Sequence, residues 1–405
     1  HELGARATRI PIYWGRVERA PGQWDFSGYD GFLEMAGEHE MKVVAVLGYD
    51  NDAVEQSVTG SQRGGFIAPE DIPLFLEYVK RTVEQYKDHV YAWEIWNEPD
   101  LPHFWTGTME EFYVIARETA ETLREVHPEA RIIGTAMTSL LGLYSTPGIE
   151  GLHATGALEH VDHPAMHTYI SDPRGFYGEF RRVQNAAKKY GHPGAVWITE
   201  LGAPDGGVYP WCVATGLRAE YAMKSYAIST AMGIEKLFWH CFEDARADQK
   251  RRDPLNSEHF FGLVEADGRW KPAAYAYQLF AKHCNSSTLR HDLVRVSGGL
   301  AARQLRTVLY RREGGQSALV LWFEPALRQG AQARVTLDLG ALDEVALIHD
   351  IASGYRKYVV DGLVDVSEKP LFITFTSPEP ETPVTQVSVP SGMVASTPRR
   401  LKCVA

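Results

Sequence analysis

The sequence predicts a (β/α)8 TIM barrel followed by a small antiparallel β-sandwich, and three observations lead there. Up to about Cys284, short apolar runs alternate with longer segments of helical period, as parallel strands under covering helices require. Beyond it, short strands follow one another across Gly, Asp and Ser with no helix between them, which indicates antiparallel packing. No G-x-G-x-x-G follows a first strand, which weighs against a doubly wound sheet. The expected organisation is a barrel over 1–284, a sandwich over 285–376 and a tail over 377–405. That tail is rich in Pro, Ser and Thr and reads as extended or disordered.

Residues 43–47 form a compact apolar run ending at Gly48, and 91–96, 132–136, 195–198 and 236–239 have the same character; each reads as a buried strand. Segments 9–13 and 164–167 are weaker candidates. Between them, Phe75, Tyr78, Val79, Val83 and Tyr86 fall on one helical stripe, and Phe112, Ile115, Ala116, Thr119 and Leu123 on another. Segments 176–190, 217–230 and 272–283 are helical in the same sense. That makes seven strand–helix rounds where a closed barrel has eight strands. Either the first strand lies upstream of this chain or another segment replaces it, and the upstream position is the expectation. In the sandwich, 317–323, 333–339, 344–348 and 370–375 are the expected strands.

Composition narrows the functional classes. The 405 residues carry 41 Lys and Arg against 52 Asp and Glu, a formal charge of −11, which argues against nucleic acid or an anionic membrane as the main partner. No run of 18 or more apolar residues is present, so no span of a bilayer is expected. The opening HELGARATRI has no charged stretch followed by an apolar one, so no signal peptide is read in this chain; an extracellular or periplasmic site would require that upstream residues were removed. The four cysteines are widely spaced without C-x-x-C, which excludes a local zinc knuckle. Ten Trp, 19 Tyr and 16 Phe suit either a large core or a sugar-stacking cleft.

Two glutamates end buried runs. Glu98 closes W-E-I-W-N-E-P and Glu200 closes W-I-T-E. With an absent first strand counted, they follow strands four and seven. These stand nearly opposite across the barrel mouth, where strand C-termini form the open face. Two carboxylates facing one bond suit glycoside hydrolysis: one protonates the leaving oxygen and the other stabilises the anomeric carbon. The charged partner needs a nearby Arg and a hydroxyl, and the acid should be the less solvated member. Pro99 is expected to hold Glu98 in an extended conformation. Flat indoles such as Trp239, Trp14 and Trp105 suit the C–H face of a pyranose. Tyr49 and Asp50 follow strand three and Glu243 and Asp244 strand eight; they are candidates for shaping substrate choice, with solvated loop residues the equal alternative.

W-x-x-W-N-E-P and W-x-T-E resemble the glycoside hydrolase clan whose catalytic glutamates follow strands four and seven, most nearly family 39, with family 5 close behind. The resemblance spans roughly residues 6–284 and, more weakly, the sandwich. It implies a retaining glycosidase acting on a β-linked oligo- or polysaccharide or glycoside, with Glu98 as acid/base and Glu200 as nucleophile. It further implies that Asn97 binds the C2 hydroxyl, that the tyrosine of His167-x-Tyr169 bonds the nucleophile, that Arg9 keeps it ionised, and that Trp239 floors the cleaved sugar's subsite. It implies no cofactor, and a cis peptide bond after Trp239. Retention places the carboxyls about 5–5.5 Å apart.

Each residue also has a plainer reading. A strand-end glutamate is commonly a salt bridge, a buried histidine a hydrogen-bonded core residue, and a tryptophan a packing residue. His153, His160, His163 and His167 suggest a metal, but no H-x-H or H-E-x-x-H occurs, so no metal is expected. The rival class is a non-catalytic carbohydrate-binding scaffold on a degenerate barrel.

Overall fold

The computed structural model describes residues 2–61, 64–138, 145–208, 212–245, 253–285, 287–290, 294–298, 303–324, 333–338, 346–359, 363–376 and 385–389. They divide into two compact units, one of residues 5–203 and 232–241, the other of 2–4, 204–231 and 242 onwards.

The first unit holds seven parallel strands: β1 (Ala7–Tyr13), β2 (Lys42–Gly48), β3 (Val90–Ile95), β4 (Ile132–Ile133), β5 (Ala165–Thr168), β6 (Trp197–Leu201) and β7 (Lys236–Trp239). They form the sheets β1-β2-β3-β4 and β5-β6-β7. Parallel bridges Ile133↔His163 and Met137↔Met166 join the two sheets, and Cα atoms of β7 and β1 approach within 8 Å at the other side. Among the described residues no ladder joins β7 to β1. All seven expected strands are therefore present, with shifted ends. The run at 132–136 is a two-residue strand followed by isolated pairing, Asn97↔Ala136. The run at 195–198 becomes Trp197–Leu201, so Glu200 lies inside β6 rather than after it.

Helices α1 (Ser27–Glu38), α2 (Ile72–Tyr86), α3 (Met109–Val126), α4 (Ser145–Ala154) and α5 (Phe176–Lys189) connect these strands. α2 starts with Pro73 in its first turn, where the missing N–H costs nothing. α3 starts at a capping box in which the Thr108 hydroxyl accepts from the Glu111 amide and the Glu111 carboxylate from the Thr108 amide. Both bury the apolar stripes read from the sequence. Arg124 on α3 donates to the Ala130 and His160 carbonyls and to Asp162, and Asp162 accepts from Ile132 N–H at 2.7 Å, which sets the start of β4.

Among its described residues the second unit contains α6 (Arg218–Ala231), α7 (Pro272–Cys284) and ten strands. These are β8 (Thr288–Leu289), β9 (Val294–Gly298), β10 (Leu305–Arg311), β11 (Gln316–Phe323), β12 (Ala333–Asp338), β13 (Leu347–His349), β14 (Arg356–Tyr358), β15 (Leu363–Val366), β16 (Leu371–Thr376) and β17 (Thr385–Val389). One sheet runs β8-β10-β11-β16-β13-β14 and the other β9-β17-β12-β15. Leu309, Leu319, Leu321, Ile373 and Phe375 of the first sheet share a core with Val364 and Val366 of the second, so the two sheets face each other. The opposite face is covered by α7, with Phe280 edge-on to Tyr310 at 5.3 Å. Burial on both faces explains why 318–323 is an unbroken apolar run.

Two expectations change here. The sandwich contains one parallel pair, β9 with β17. Residues 385–389 of the expected tail form a strand that pairs on both sides, with β9 and β12; a Thr/Ser/Val run supplies ladder hydrogen bonds whatever its flanking composition. The remainder of that tail, 377–384 and 390–405, lies outside the described residues.

A buried ionic cluster ties this unit together. Lys271, 3% exposed, bonds Asp205 at 2.9 Å and Asp244 at 2.6 Å, while Arg218 donates to the Phe261 and Gly262 carbonyls. Removing one member leaves a buried charge uncompensated. Lys271→Met is expected to lower stability by about 3–5 kcal/mol in urea denaturation, whereas the exposed Lys80→Met should stay within about 0.5 kcal/mol.

Candidate active site

The site is built on strand ends of the first unit. Arg9 on β1 is its centre: Nε donates to Glu94 Oε2 at 2.5 Å, Nη1 to Glu200 Oε1 at 2.6 Å, and Nη2 to Asn97 Oδ1 at 2.8 Å. Burial disfavours the charged guanidinium, but Glu94 and Glu200 more than offset this and keep it protonated. Arginine has only donors, so Asn97 must turn its oxygen to Arg9, leaving its NH2 group to donate elsewhere.

The other oxygen of Glu200 accepts from the Tyr169 hydroxyl. It also lies 3.5 Å from His167 Nδ1 and 3.8 Å from His240 Nδ1. Burial pushes the Glu200 carboxyl up, but His167, His240, Arg9 and the Tyr169 hydroxyl together hold it well below the usual range. Glu200 is therefore an ionised carboxylate at neutral pH.

Glu98 faces it from the end of β3. Its Oε1 bonds His167 Nδ1 at 2.6 Å, and its side chain is 8% exposed against 15% for Glu200. Oxygens of the two carboxylates lie within 4.8 Å of each other. His167 is fully buried, and its Nε2 meets Thr199 Oγ1 at 3.1 Å. Thr199 Oγ1 in turn donates to Glu94 Oε1 at 2.7 Å. Burial lowers the His167 imidazole, but the facing Glu200 and Glu98 raise it above its ordinary value.

The Pro99 expectation is corrected. Glu98 has φ +47° and Trp96 φ +59°, both left-handed rather than extended. Pro99 excludes the right-handed helical region for Glu98, and pairing on both sides selects the rarer alternative: Trp96 N–H donates to Leu47 O, and Glu98 N–H to Ala136 O, each at 3.0 Å. Such strain persists only where the surroundings over-determine it.

The aromatic expectations divide. Trp14 is 0% exposed, stacked on Tyr78, with its indole N–H on Glu18 at 2.7 Å. Trp105 is 3% exposed, against Trp96 and Phe112, its N–H on Thr108 O. Both are core residues rather than sugar platforms, because each indole N–H is satisfied inside the protein. Tyr49 is half-buried, edge-on to Trp96 and near Phe104, and burial raises its hydroxyl. Trp239 is half-buried at the end of β7, paired in register with Leu201. The cis bond lies one step beyond the implied position, at His240–Cys241, and another is at Gly48–Tyr49.

Sequence reading missed Glu94, Thr199 and His240. Glu94 carried a signal: a charge inside the run A-W-E-I-W must find a partner or not be buried. The four histidines weighed as a metal set do not converge, since His153 stacks on Tyr190 and His163 on Trp197. Glu98, His167 and Glu200 have atoms close enough to hold an ion, but those atoms already bond one another, Arg9 and Tyr169.

Residues 20–185 match the family model of glycosyl hydrolases family 39. The match covers less than half of the chain, and it is a resemblance of that part to the family. A β-xylosidase of Caldicellulosiruptor saccharolyticus is 37% identical over 67 residues, 16% of this chain and 14% of that protein, so the match spans about one-seventh of the relative's length. A family 39 glycoside hydrolase of the gut symbiont Bacteroides cellulosilyticus WH2 superposes with a TM-score of 0.69 at 17% identity, over 93% of this chain and 76% of that one. A glucosidase of Croceicoccus marinus gives 0.60 at 13% identity, over 93% and 90%. At these identities the family 39 relative and the glucosidase share its fold, a barrel followed by a β-sandwich.

The electrostatics set a pH dependence. Glu200 is depressed in the folded chain, so its contribution to stability is present above about pH 4.3 and is lost as pH falls towards its folded value. His167 is raised, so its contribution is present below about pH 6.5 and is lost as pH rises through its folded value. The melting-temperature advantage of the native chain over Glu200→Gln should therefore be larger at about pH 6 than at about pH 3, read from paired thermal melts.

Proposed function

We propose that the protein is a retaining glycosidase that hydrolyses β-linked glycosides by double displacement. The observation that carries this is the carboxylate pair: oxygens of Glu98 and Glu200 within 4.8 Å, one carboxylate held ionised by His167, His240 and Arg9 and the other against a buried imidazole. That closeness is in keeping with the about 5–5.5 Å of a retaining pair rather than the about 6.5–9.5 Å of an inverting one.

In the first step Glu200 attacks the anomeric carbon while Glu98 protonates the departing oxygen. In the second, Glu98 takes a proton from water, which releases the sugar with its original configuration. Arg9 and Tyr169 hold the nucleophile charged and oriented. The Asn97 amide N–H donates to the C2 hydroxyl, a bond that strengthens as oxocarbenium character develops. Trp239 supplies an apolar floor. His167 positions Glu98 and, through Thr199 and Glu94, shares a hydrogen-bond path with Arg9. This chemistry draws on side chains alone, with no cofactor. The β-xylosidase relative makes an aryl β-xyloside the first probe.

Proton NMR should show the β-anomer first from a β-glycoside; the α-anomer first would exclude double displacement. Glu98→Ala should lose about 10²–10⁴-fold on glycosides with poor leaving groups and far less on dinitrophenyl glycosides, whose departure needs no proton. Glu200→Gly should be inactive and recover turnover with azide, giving the α-glycosyl azide; full activity without azide would remove Glu200 from the reaction.

A further inference from the structure

The loop after β2 gathers carboxylates that the proposed reaction does not use. Asp50, Asp52 and Glu55 each present an oxygen, and these atoms lie within 4.8 Å of one another. Glu55 is 1% exposed, and both its carboxylate oxygens lack a hydrogen-bond partner. Asp71, fully buried nearby, adds a further negative charge, and its Oδ2 is also unpartnered. Among the described residues, no ion pair reaches Asp50, Asp52, Glu55 or Asp71. The short helix Asp52–Val58 carries Asp52 and Glu55 in its first turn, where acidic residues are favourable. That accounts for an exposed Asp52. It does not account for the Glu55 carboxyl, placed beside two others, away from water and with no hydrogen bond to either oxygen.

We propose that Asp50, Asp52 and Glu55 form a divalent cation site, with Ca2+ the best match. All the donors are hard oxygens. Opposed oxygens in a Ca2+ shell stand about 4.6–5.2 Å apart, twice the metal–oxygen distance, so the three carboxylates fit around one ion. Mg2+ requires a tighter and strictly octahedral set. The exposed Asp52 gives the ion an entry path and leaves room for water to complete the shell. The frame around the site is held in place. Gly65 N–H donates to Asp50 Oδ2 at 2.6 Å, and Asn51 Nδ2 to Glu18 O at 2.8 Å. Thr106 holds the 64–65 backbone through both its hydroxyl and its amide. At Gly64 a Cβ would stand 3.0 Å from Asp52 Oδ1, so glycine admits the close approach of this segment. Asp50 directly follows Tyr49, whose ring lies edge-on to Trp96, two residues from Glu98. A cation here braces the wall beside the carboxylate pair.

The test uses the whole chain, stripped with EDTA and dialysed, then titrated with CaCl2, MgCl2 and TbCl3. CaCl2 at about 1 mM should raise the melting temperature through preferential binding to the folded state, and MgCl2 should raise it less. Tb3+ should give sensitised emission that Ca2+ displaces. Asp52→Asn, at the surface and harmless to folding, should weaken Ca2+ binding about ten-fold or more, and Glu55→Gln should abolish the Ca2+-dependent rise. Absence of both the Ca2+-dependent rise and the displaceable Tb3+ signal in the native chain would overturn the proposal. Equal Ca2+ affinity in native and Asp52→Asn proteins would overturn it as well. Neither readout depends on glycoside turnover, so the site stands or falls separately from the proposed reaction.

Discussion

The candidate active site depends on one largely buried cation. The Arg9 guanidinium makes three bonds, to side chains that arrive from β3, from the turn after it and from β6. A planar fork of donors can satisfy three acceptors at once only if those acceptors lie near its plane. Arg9 thereby sets the positions of Glu94, Asn97 and Glu200 relative to one another. A lysine would keep the charge and lose that arrangement. The cost of burying the guanidinium is offset by two carboxylates, and burying those carboxylates is offset by Arg9, so none of the three is stable in that interior without the others.

From Arg9 the hydrogen bonds continue through Glu94, Thr199 and His167 to Glu98. Polar groups in a low-dielectric interior polarise their neighbours, and a satisfied network is rigid. The strained backbone at Trp96 and Glu98 belongs to the same economy. Two left-handed residues in a row of three set the direction in which Glu98 leaves the strand, and hydrogen bonds to Leu47 and Ala136 keep them there. The site is preorganised by backbone as well as by side chains.

Much of this was legible in the sequence. Strands such as 43–47 announce themselves because burial on both faces demands unbroken apolar runs. The approach of Glu98 and Glu200 was readable because one follows a strand and the other stands in the last two residues of one, and in a parallel barrel these ends converge on one face. Other features lack a local signature. Trp14 and Trp105 are chemically indistinguishable from platform residues until the partner of each indole N–H is known. The Pro99 rule excluded one backbone region but could not choose between the two that remained. β10, L-R-T-V-L-Y-R, was overlooked because charges at its ends break the apolar run, and β17 because Pro-rich flanks masked it. Glu94 was written plainly as a charge within an apolar strand, a conflict of local and global preference that commonly marks a working site.

The pairing of β17 has a consequence for how the chain can be shortened. It is the only described strand that joins β9 to the rest of its sheet. Cutting the chain at residue 376, where composition suggests a domain ends, would strip β9 of its neighbour and uncover one edge of β12. Unpaired edges recruit strands from other molecules, so such a fragment would lose solubility before it lost its fold. A fragment that keeps this sheet whole therefore has to include Val389.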